Sequence, residues 1–341
     1  MRFGLMYDFR NPTRWYIEPP KFYRLMLDQM VEAEKLGFDH IWLTEHHFTE
    51  DAYNPASLSM AAAIAAVTKT IRIGTFVLLM PLIHPVRAAE DIVLADILSD
   101  GRFDIGVGQG YTHEEFNAFG VKRKERGSRL TEGVNLMRRL FSEENVTFEG
   151  KFTQTYNMTL SPRPVQKPHP PIWVGARGPK GIKRAAELRT NLMTTLGPDP
   201  APLYLETLEA LGEKTTDFKI AQLRMVYCAD SDDQAWEDAQ DHLAHVFGYY
   251  ERVLAEAGDV EGDTEPLPFK TPEEIRHSSL AESALLVGSP NTISEKLEFF
   301  CNNYECTDFI LSTHFAGIDP KKSTYSNRLF AEHVMPIFRG R

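Results

Sequence analysis

Glu45-His46-His47 is the sharpest cluster of reactive side chains in the sequence. An imidazole titrates near neutrality, so a histidine held in a pocket can take or give a proton there. Neighbouring residues of an extended chain face opposite ways, so one of the pair looks inward and the other away. A metal centre would need further ligands at the same depth, and the bland alternative is one packed and one exposed histidine. A second group is Gly175-Ala176-Arg177-Gly178, just ahead of Pro179. Small residues before a helix let backbone N–H groups approach an anion, and Arg177 can add a charge-assisted contact. The competing role is a tight turn carrying a surface arginine. Gly106, Gly108 and Gly110 alternate, with Gln109 between the last two. Such spacing clears one face for a flat ligand or serves close backbone packing. Arg129, beside Ser128, is either an anion contact or an ordinary solvated or salt-bridged residue. There is no nucleophile elbow and no cysteine–histidine pairing.

Something must hold these groups together, and the chain offers repeated strand–helix steps. Short apolar runs at 2–7, 38–43, 71–79, 103–108, 172–175, 191–195, 220–229 and 308–313 read as strands. Helical patterns lie between and after them, at 22–36, 55–69, 85–99, 128–141, from 179, and at 202–211, 232–257, 291–303 and 323–338. Nearly all-apolar strands are covered on both faces, as in a parallel sheet. Eight such steps predict a closed α/β structure, a (β/α)8 TIM barrel with insertions, over 1–341 as a single domain. The insertions are a hairpin at 146–160, a proline-rich connector at 162–171, and a glycine- and proline-bearing stretch at 258–283. Barrel active sites form at the C-terminal ends of the strands. That rule selects Glu45-His46-His47, Gly108-Gln109-Gly110-Tyr111 and the Gly175–Gly178 segment, and it favours the functional role for the histidines.

The bounds are consistent with such an enzyme. With 48 acidic against 37 basic residues and a formal net charge of -11, the chain is a poor partner for nucleic acid or an anionic membrane surface. The three cysteines (Cys228, Cys301, Cys306) form neither a disulfide framework nor a zinc pattern. The N-terminal residues lack the apolar core of a signal peptide, and no run is long enough to span a membrane. A cytoplasmic protein without a metal site is expected.

The sequence resembles the luciferase-like, flavin-dependent monooxygenase family, near the bacterial luciferase α chain. The likeness runs over nearly the whole length. It is carried by Thr44-Glu45-His46-His47-Phe48-Thr49-Glu50, His84-Pro85-Val86-Arg87-Ala88-Ala89-Glu90-Asp91, Asp100-Gly101-Arg102-Phe103, Ile172-Trp173-Val174-Gly175 and Val287-Gly288-Ser289-Pro290. The resemblance implies reduced FMN supplied by a separate flavin reductase, dioxygen as co-substrate, and a peroxyflavin that oxidises a small aldehyde, ketone or related molecule. It makes His46 the catalytic histidine and Glu45 its neighbouring acid. Thr75 and Phe76 fall under the isoalloxazine ring, where the family often has a non-prolyl cis peptide. Gly108 and Gln109 fall along the flavin. Arg129 and Gly175, Ala176, Arg177 and Gly178 fall at its phosphate, and 258–283 at a mobile lid. A homodimer through the helices flanking the second and third strands is also implied. Gly108 replaces a cysteine of the luciferase α chain, Gln109 replaces an arginine, and Phe76 is bulkier than its counterpart. These departures point to a monooxygenase that emits no light. Two other readings remain: a deazaflavin-dependent hydride-transfer enzyme on the same barrel, and a non-catalytic flavin-binding subunit, against which His46 argues. A metal-dependent barrel hydrolase would need more inward ligands than His84 and His314 supply.

Overall fold

Parallel strands cannot be joined by tight turns, so each step of this chain crosses back through a helix. The computed structural model describes residues 1–260 and 266–340. In order they form β1 (Arg2–Tyr7), α1 (Pro19–Lys35), β2 (His40–Leu43), α2 (Ser57–Val67), β3 (Arg72–Thr75), β4 (Leu78–Leu79), α3 (Pro85–Leu98), β5 (Phe103–Gly108), α4 (His113–Ala118) and α5 (Arg126–Ser142). Next come β6 (Val146–Glu149), β7 (Gln154–Met158), β8 (Ile172–Gly175), α6 (Pro179–Glu187), β9 (Asn191–Thr194), α7 (Ala201–Ala210), β10 (Ile220–Cys228) and α8 (Asp232–Ala257). The chain ends with α9 (Ser279–Ser283), β11 (Leu285–Gly288), α10 (Pro290–Asn303), β12 (Asp308–Ser312), α11 (Pro320–Leu329) and α12 (Met335–Phe338).

The strands close a circuit, β1-β2-β3-β5-β8-β9-β10-β12 and back to β1, with every pairing parallel. This is the expected (β/α)8 barrel. Helices α3, α6 and α10 open on Pro85, Pro179 and Pro290, where a missing N–H costs nothing and the fixed φ suits a first turn. Helix α8 ends on Gly258 at φ 69°, a left-handed cap that glycine adopts without strain.

Inside the barrel Met6, Trp42, Phe76, Trp173, Met193, Ala221 and Ile310 form one cluster. Trp42 fills so much of it that a Cβ on Gly4 or Gly74, on the strands either side, would come within 2.6 and 2.4 Å of the indole. Below it, Asp104 accepts from Arg72 Nε at 2.6 Å and from Trp173 Nε1 at 3.2 Å, so the floor is polar but paired.

Three details differ from the sequence expectation. The stretch 71–79 is two pieces: β3 pairs with β2 and the lower part of β5, and β4 pairs with the upper end of β5. The cis peptide Phe76–Val77 lies between them. Helix α4 and strand β11 were not anticipated. Strand β11 pairs with the upper end of β10, where Met225 meets Leu285 on one edge and Ser312 on the other. Four apolar residues ahead of a helix look the same in sequence whether they pair or not.

Of the stretch 258–283, residues 261–265 lie outside the described residues. Beyond them, a 3-10 segment at Pro272–His277 packs on α8 with Ile275 fully buried. Lys296 of α10 then donates to the carbonyls of Ala281 and Leu285. Among the described residues, no helix is long and apolar enough to cross a membrane.

Candidate active site

His46 leaves the top of β2 on a backbone fixed from both sides. Thr44 Oγ1 donates to the Tyr7 carbonyl, Asn54 Nδ2 donates to the Thr44 carbonyl, and the His46 N–H donates to the Asn54 carbonyl. Its buried ring has a partner on each nitrogen. Nδ1 lies 2.8 Å from Glu115 Oε1, and Nε2 lies 3.1 Å from the Tyr111 hydroxyl. Tyr53 meets the ring edge-on at 4.9 Å. Glu115 also accepts from the His47 N–H at 2.9 Å and from the Thr112 hydroxyl. Burial pushes the Glu115 carboxyl up, but His46, Thr112 and the His47 N–H outweigh it and hold the group below the usual carboxylate range. An ionised carboxylate only accepts, so a neutral His46 carries its proton on Nδ1 and accepts from Tyr111 at Nε2. Burial raises the Tyr111 phenol, which therefore keeps its proton.

Glu45, expected beside the catalytic histidine, faces elsewhere. It accepts from Ser57 Oγ at 2.6 Å and from the Leu79 N–H at 3.3 Å, with His47 Nε2 at 3.6 Å. It thus joins the top of β2 to the first residue of α2 and to β4. His47 turns to the rim and packs against Phe119.

Thr75, Phe76 and Val77 form a shelf across the mouth. Thr75 Oγ1 donates to the Gly106 carbonyl and accepts from the Gly106 N–H, and the Phe76 N–H donates to the Leu43 carbonyl. The glycines serve this shelf by close packing. A Cβ on Gly106 would lie 1.8 Å from the Thr75 carbonyl oxygen, one on Gly108 2.2 Å from Val77, and one on Gly175 2.6 Å from Val77.

Beside the shelf, Gln109 Oε1 accepts from Arg184 Nη1 at 3.2 Å. The Arg184 guanidinium lies over Gly127 in the first turn of α5, where a Cβ would sit 2.6 Å from Nη2. Burial lowers the Arg184 pKa, Glu187 works against it, and the like charge of Arg126 adds to it. Arg126 Nε is buried without a partner, while its Nη2 reaches Asp259 at 3.1 Å. The guanidinium of Arg126, at the start of α5, acts on that of Arg184, in the last turn of α6, and two such groups can seat a phosphate between them. Arg123 ties the Tyr111 carbonyl, at 2.7 Å, to the end of α8 at the Ala257 carbonyl, at 2.8 Å. Of the expected phosphate residues, Gly178 caps α6, Ala176 spends its N–H on the Met193 carbonyl, and Arg177 passes Gly197. Arg129 pairs with Glu125 at 3.0 Å and stacks on Phe152 at 4.3 Å.

Of the residues singled out in the sequence, the structure brings His46, Thr75, Phe76 and Gln109 to this end of the barrel, and beside them it places Glu115, Tyr53, Arg126 and Arg184, which the sequence did not single out. Tyr111 was in a selected segment without a role. Glu115 follows that segment by four residues, but its partner lies 69 positions away, and no local pattern reports such a pairing. Among the described residues, no group of three or more His, Cys, Asp or Glu is placed to hold a metal ion.

Residues 1–301 match the family described as luciferase-like monooxygenase. The chain is 27% identical to the oxygenase component of the flavin-dependent trigonelline monooxygenase of Acinetobacter baylyi, over 99% of this chain and 96% of that one. It is 35% identical to an F420-dependent glucose-6-phosphate dehydrogenase of Nakamurella multipartita, over 54% of this chain and 55% of that one. Among solved structures, the monooxygenase RslO1 of Streptomyces bottropensis aligns with a TM-score of 0.85 at 28% identity, covering 99% of this chain and 100% of that one.

Proposed function

The chain belongs to the luciferase-like monooxygenase family, an oxidoreductase group with flavin- and F420-dependent members, and from that premise we propose that it is the oxygenase of a two-component, reduced-FMN-dependent monooxygenase. The observation that carries this reading is the buried Glu115–His46–Tyr111 line, set beside a shelf and an arginine pair of the right kinds for a flavin ring and its phosphate. Reduced FMN, when bound, supplies the two electrons that place one oxygen atom of dioxygen in an organic substrate and the other in water.

The chain's own residues do the rest. Arg126, Arg184 and the first turn of α6, with Gly178 and Arg177 beside it, would hold the phosphate. Thr75, Phe76 and Val77 would bear the flavin ring. Glu115 fixes the His46 proton on Nδ1, so that Nε2 exchanges a proton with Tyr111 and, through it, with the reacting centre. Glu45 acts indirectly, positioning the shelf through the Leu79 N–H. The substrate is a small aldehyde, ketone or related molecule, and no light is emitted.

A flavin reductase is the implied partner, because the Acinetobacter relative is named an oxygenase component. A homodimer through α2 and α3 is supported by exposed Val67, Leu94, Ile97 and Leu98 on those helices. Light scattering that reports a monomer would refute it.

The F420 reading rests on the dehydrogenase relatives, and one experiment separates the two. The protein is supplied with chemically reduced FMN, 18O-labelled dioxygen and a panel of aldehydes and ketones. One labelled oxygen in the product is expected. No incorporation, together with substrate-dependent reduction of F420, would overturn the proposal.

A further inference from the structure

Arg10 lies just past β1, on the same end of the barrel as His46, and is fully buried. Its Nε donates to Asp51 Oδ2 at 2.6 Å, but Nη1 and Nη2 have no hydrogen-bond partner. A buried donor left unmade is costly, and here two sit on one planar edge. That edge, with Nη1 and Nη2 side by side, is the fork that matches the two oxygens of a carboxylate.

The surroundings join this edge to the reaction site. The Tyr249 ring crosses the guanidinium at 4.4 Å, and the Tyr53 ring lies 5.7 Å from it. Tyr53 is the same ring that meets His46 edge-on, and its hydroxyl lies 3.2 Å from that of Tyr250. One tyrosine therefore separates the open guanidinium edge from the histidine. Tyr249, half-buried, covers the guanidinium.

We propose that Arg10 is a carboxylate-recognition subsite: the substrate is an organic anion whose carboxylate bridges Nη1 and Nη2 while its reacting end lies at His46. The inference rests on the barrel mouth being the substrate site.

Two acids already face this arginine, and they respond differently. Burial works against the charge of Asp51, but His245, 3.3 Å away, and Arg10 hold its carboxyl below the usual range, so it stays ionised. Burial pushes Asp8 up to about 6 in spite of Arg10. An incoming carboxylate adds negative charge beside Asp8 and favours its protonated form, so binding near neutral pH takes up a proton. Tyr53, Tyr249 and Tyr250 complete the titratable groups around the guanidinium, and burial raises all three phenols, which stay neutral.

Isothermal titration calorimetry on the full chain, without flavin, tests this with benzoate and its neutral analogue benzamide. Titrations in Hepes and Tris, whose ionisation heats differ, count the protons. Benzoate is expected to bind at least ten-fold more tightly than benzamide and to take up a fraction of a proton at pH 7. Arg10→Lys keeps the charge but loses the fork, and is expected to weaken benzoate about ten-fold. Asp8→Asn is expected to keep benzoate binding and abolish the proton uptake. Equal affinity for the two probes, no benzoate binding to folded wild type, or an unchanged affinity in folded Arg10→Lys overturns the proposal. The oxygen-labelling experiment fails or succeeds independently, because this binding needs neither flavin nor dioxygen.

Discussion

Replacing Glu115 by glutamine removes a charge and almost nothing else. The side chains are isosteric, and both N–H partners, from His46 and His47, converge on Oε1. An amide oxygen placed there keeps both bonds. The Thr112 hydroxyl, on Oε2 in the native protein, turns to accept from the new amide N–H. What is lost is the charge assistance of three bonds, while the second amide N–H and the Thr112 hydroxyl proton must find new acceptors. Hydrogen bonds to charged groups contribute about 1.5–3 kcal/mol and neutral ones about 0.5–1.5, so over three bonds the variant should lose about 3–4 kcal/mol of stability at pH 7. The loss has a definite pH dependence. The folded Glu115 carboxyl is held below its unfolded value, so its contribution is fully present above the unfolded value, near 4.3. It disappears as pH falls through the folded value. Urea midpoints for Glu115→Gln and wild type should therefore differ at pH 7 and converge toward pH 3. In turnover, the same change removes the anion that stabilises a protonated His46. A cost of about 1.5–3 kcal/mol in the transition state lowers kcat roughly 10- to 100-fold with a small change in KM. A folded Glu115→Gln enzyme with kcat within two-fold of wild type would falsify the assignment of Glu115 as the residue that positions His46.

Arg184→Gln should raise the dissociation constant of FMN about ten-fold, the loss of roughly 1.4 kcal/mol, and leave riboflavin, which lacks the phosphate, unaffected. Equal losses for both ligands in a fluorescence titration would remove Arg184 from the phosphate seat. Gly106→Ala forces a Cβ onto the Thr75 carbonyl, 1.8 Å away in a backbone that cannot give. It should cost about 3 kcal/mol or more, read as a lowered urea midpoint, and any folded fraction should bind FMN poorly because the shelf has moved. Asp8→Asn mimics the protonated acid. Asp8 is raised to about 6 in the fold, so the native protein loses stability as pH climbs from the unfolded value toward 6, and the variant does not. Relative to wild type the variant should gain roughly 2–3 kcal/mol between pH 4 and pH 8. A constant difference across that range would contradict the burial of Asp8.

The barrel was legible because its signal is repeated. Eight apolar runs with helical patterns between them specify a closed parallel sheet even when single boundaries are misplaced. His46 was legible because a strand end and a titratable residue coincide. What escaped detection depends on contacts between distant segments. Glu115 sits on a helix of six residues, too short to show a period. Arg184 lies inside the amphipathic pattern of α6, where an arginine on the polar face is unremarkable by type. The shelf glycines were visible, but that Thr75 and Val77 fill the space they leave is a property of the fold alone. Glu45 faces Ser57 and Leu79 instead of His46, because adjacency in sequence at a strand end places side chains on opposite sides.

The edge pairing of β11 on β10 bears on how such an enzyme changes specificity. The segment between α8 and β11 leaves from a helix end tied to Arg123 and returns to a strand seated on the barrel. Both junctions belong to the fixed frame, so a change of length between them need not move a barrel strand. Closing a loop twice as long costs only about 0.6 kcal/mol more, far less than a change in any barrel strand. Change there is cheap for the barrel strands but not for Arg126, whose partner Asp259 would leave with the segment.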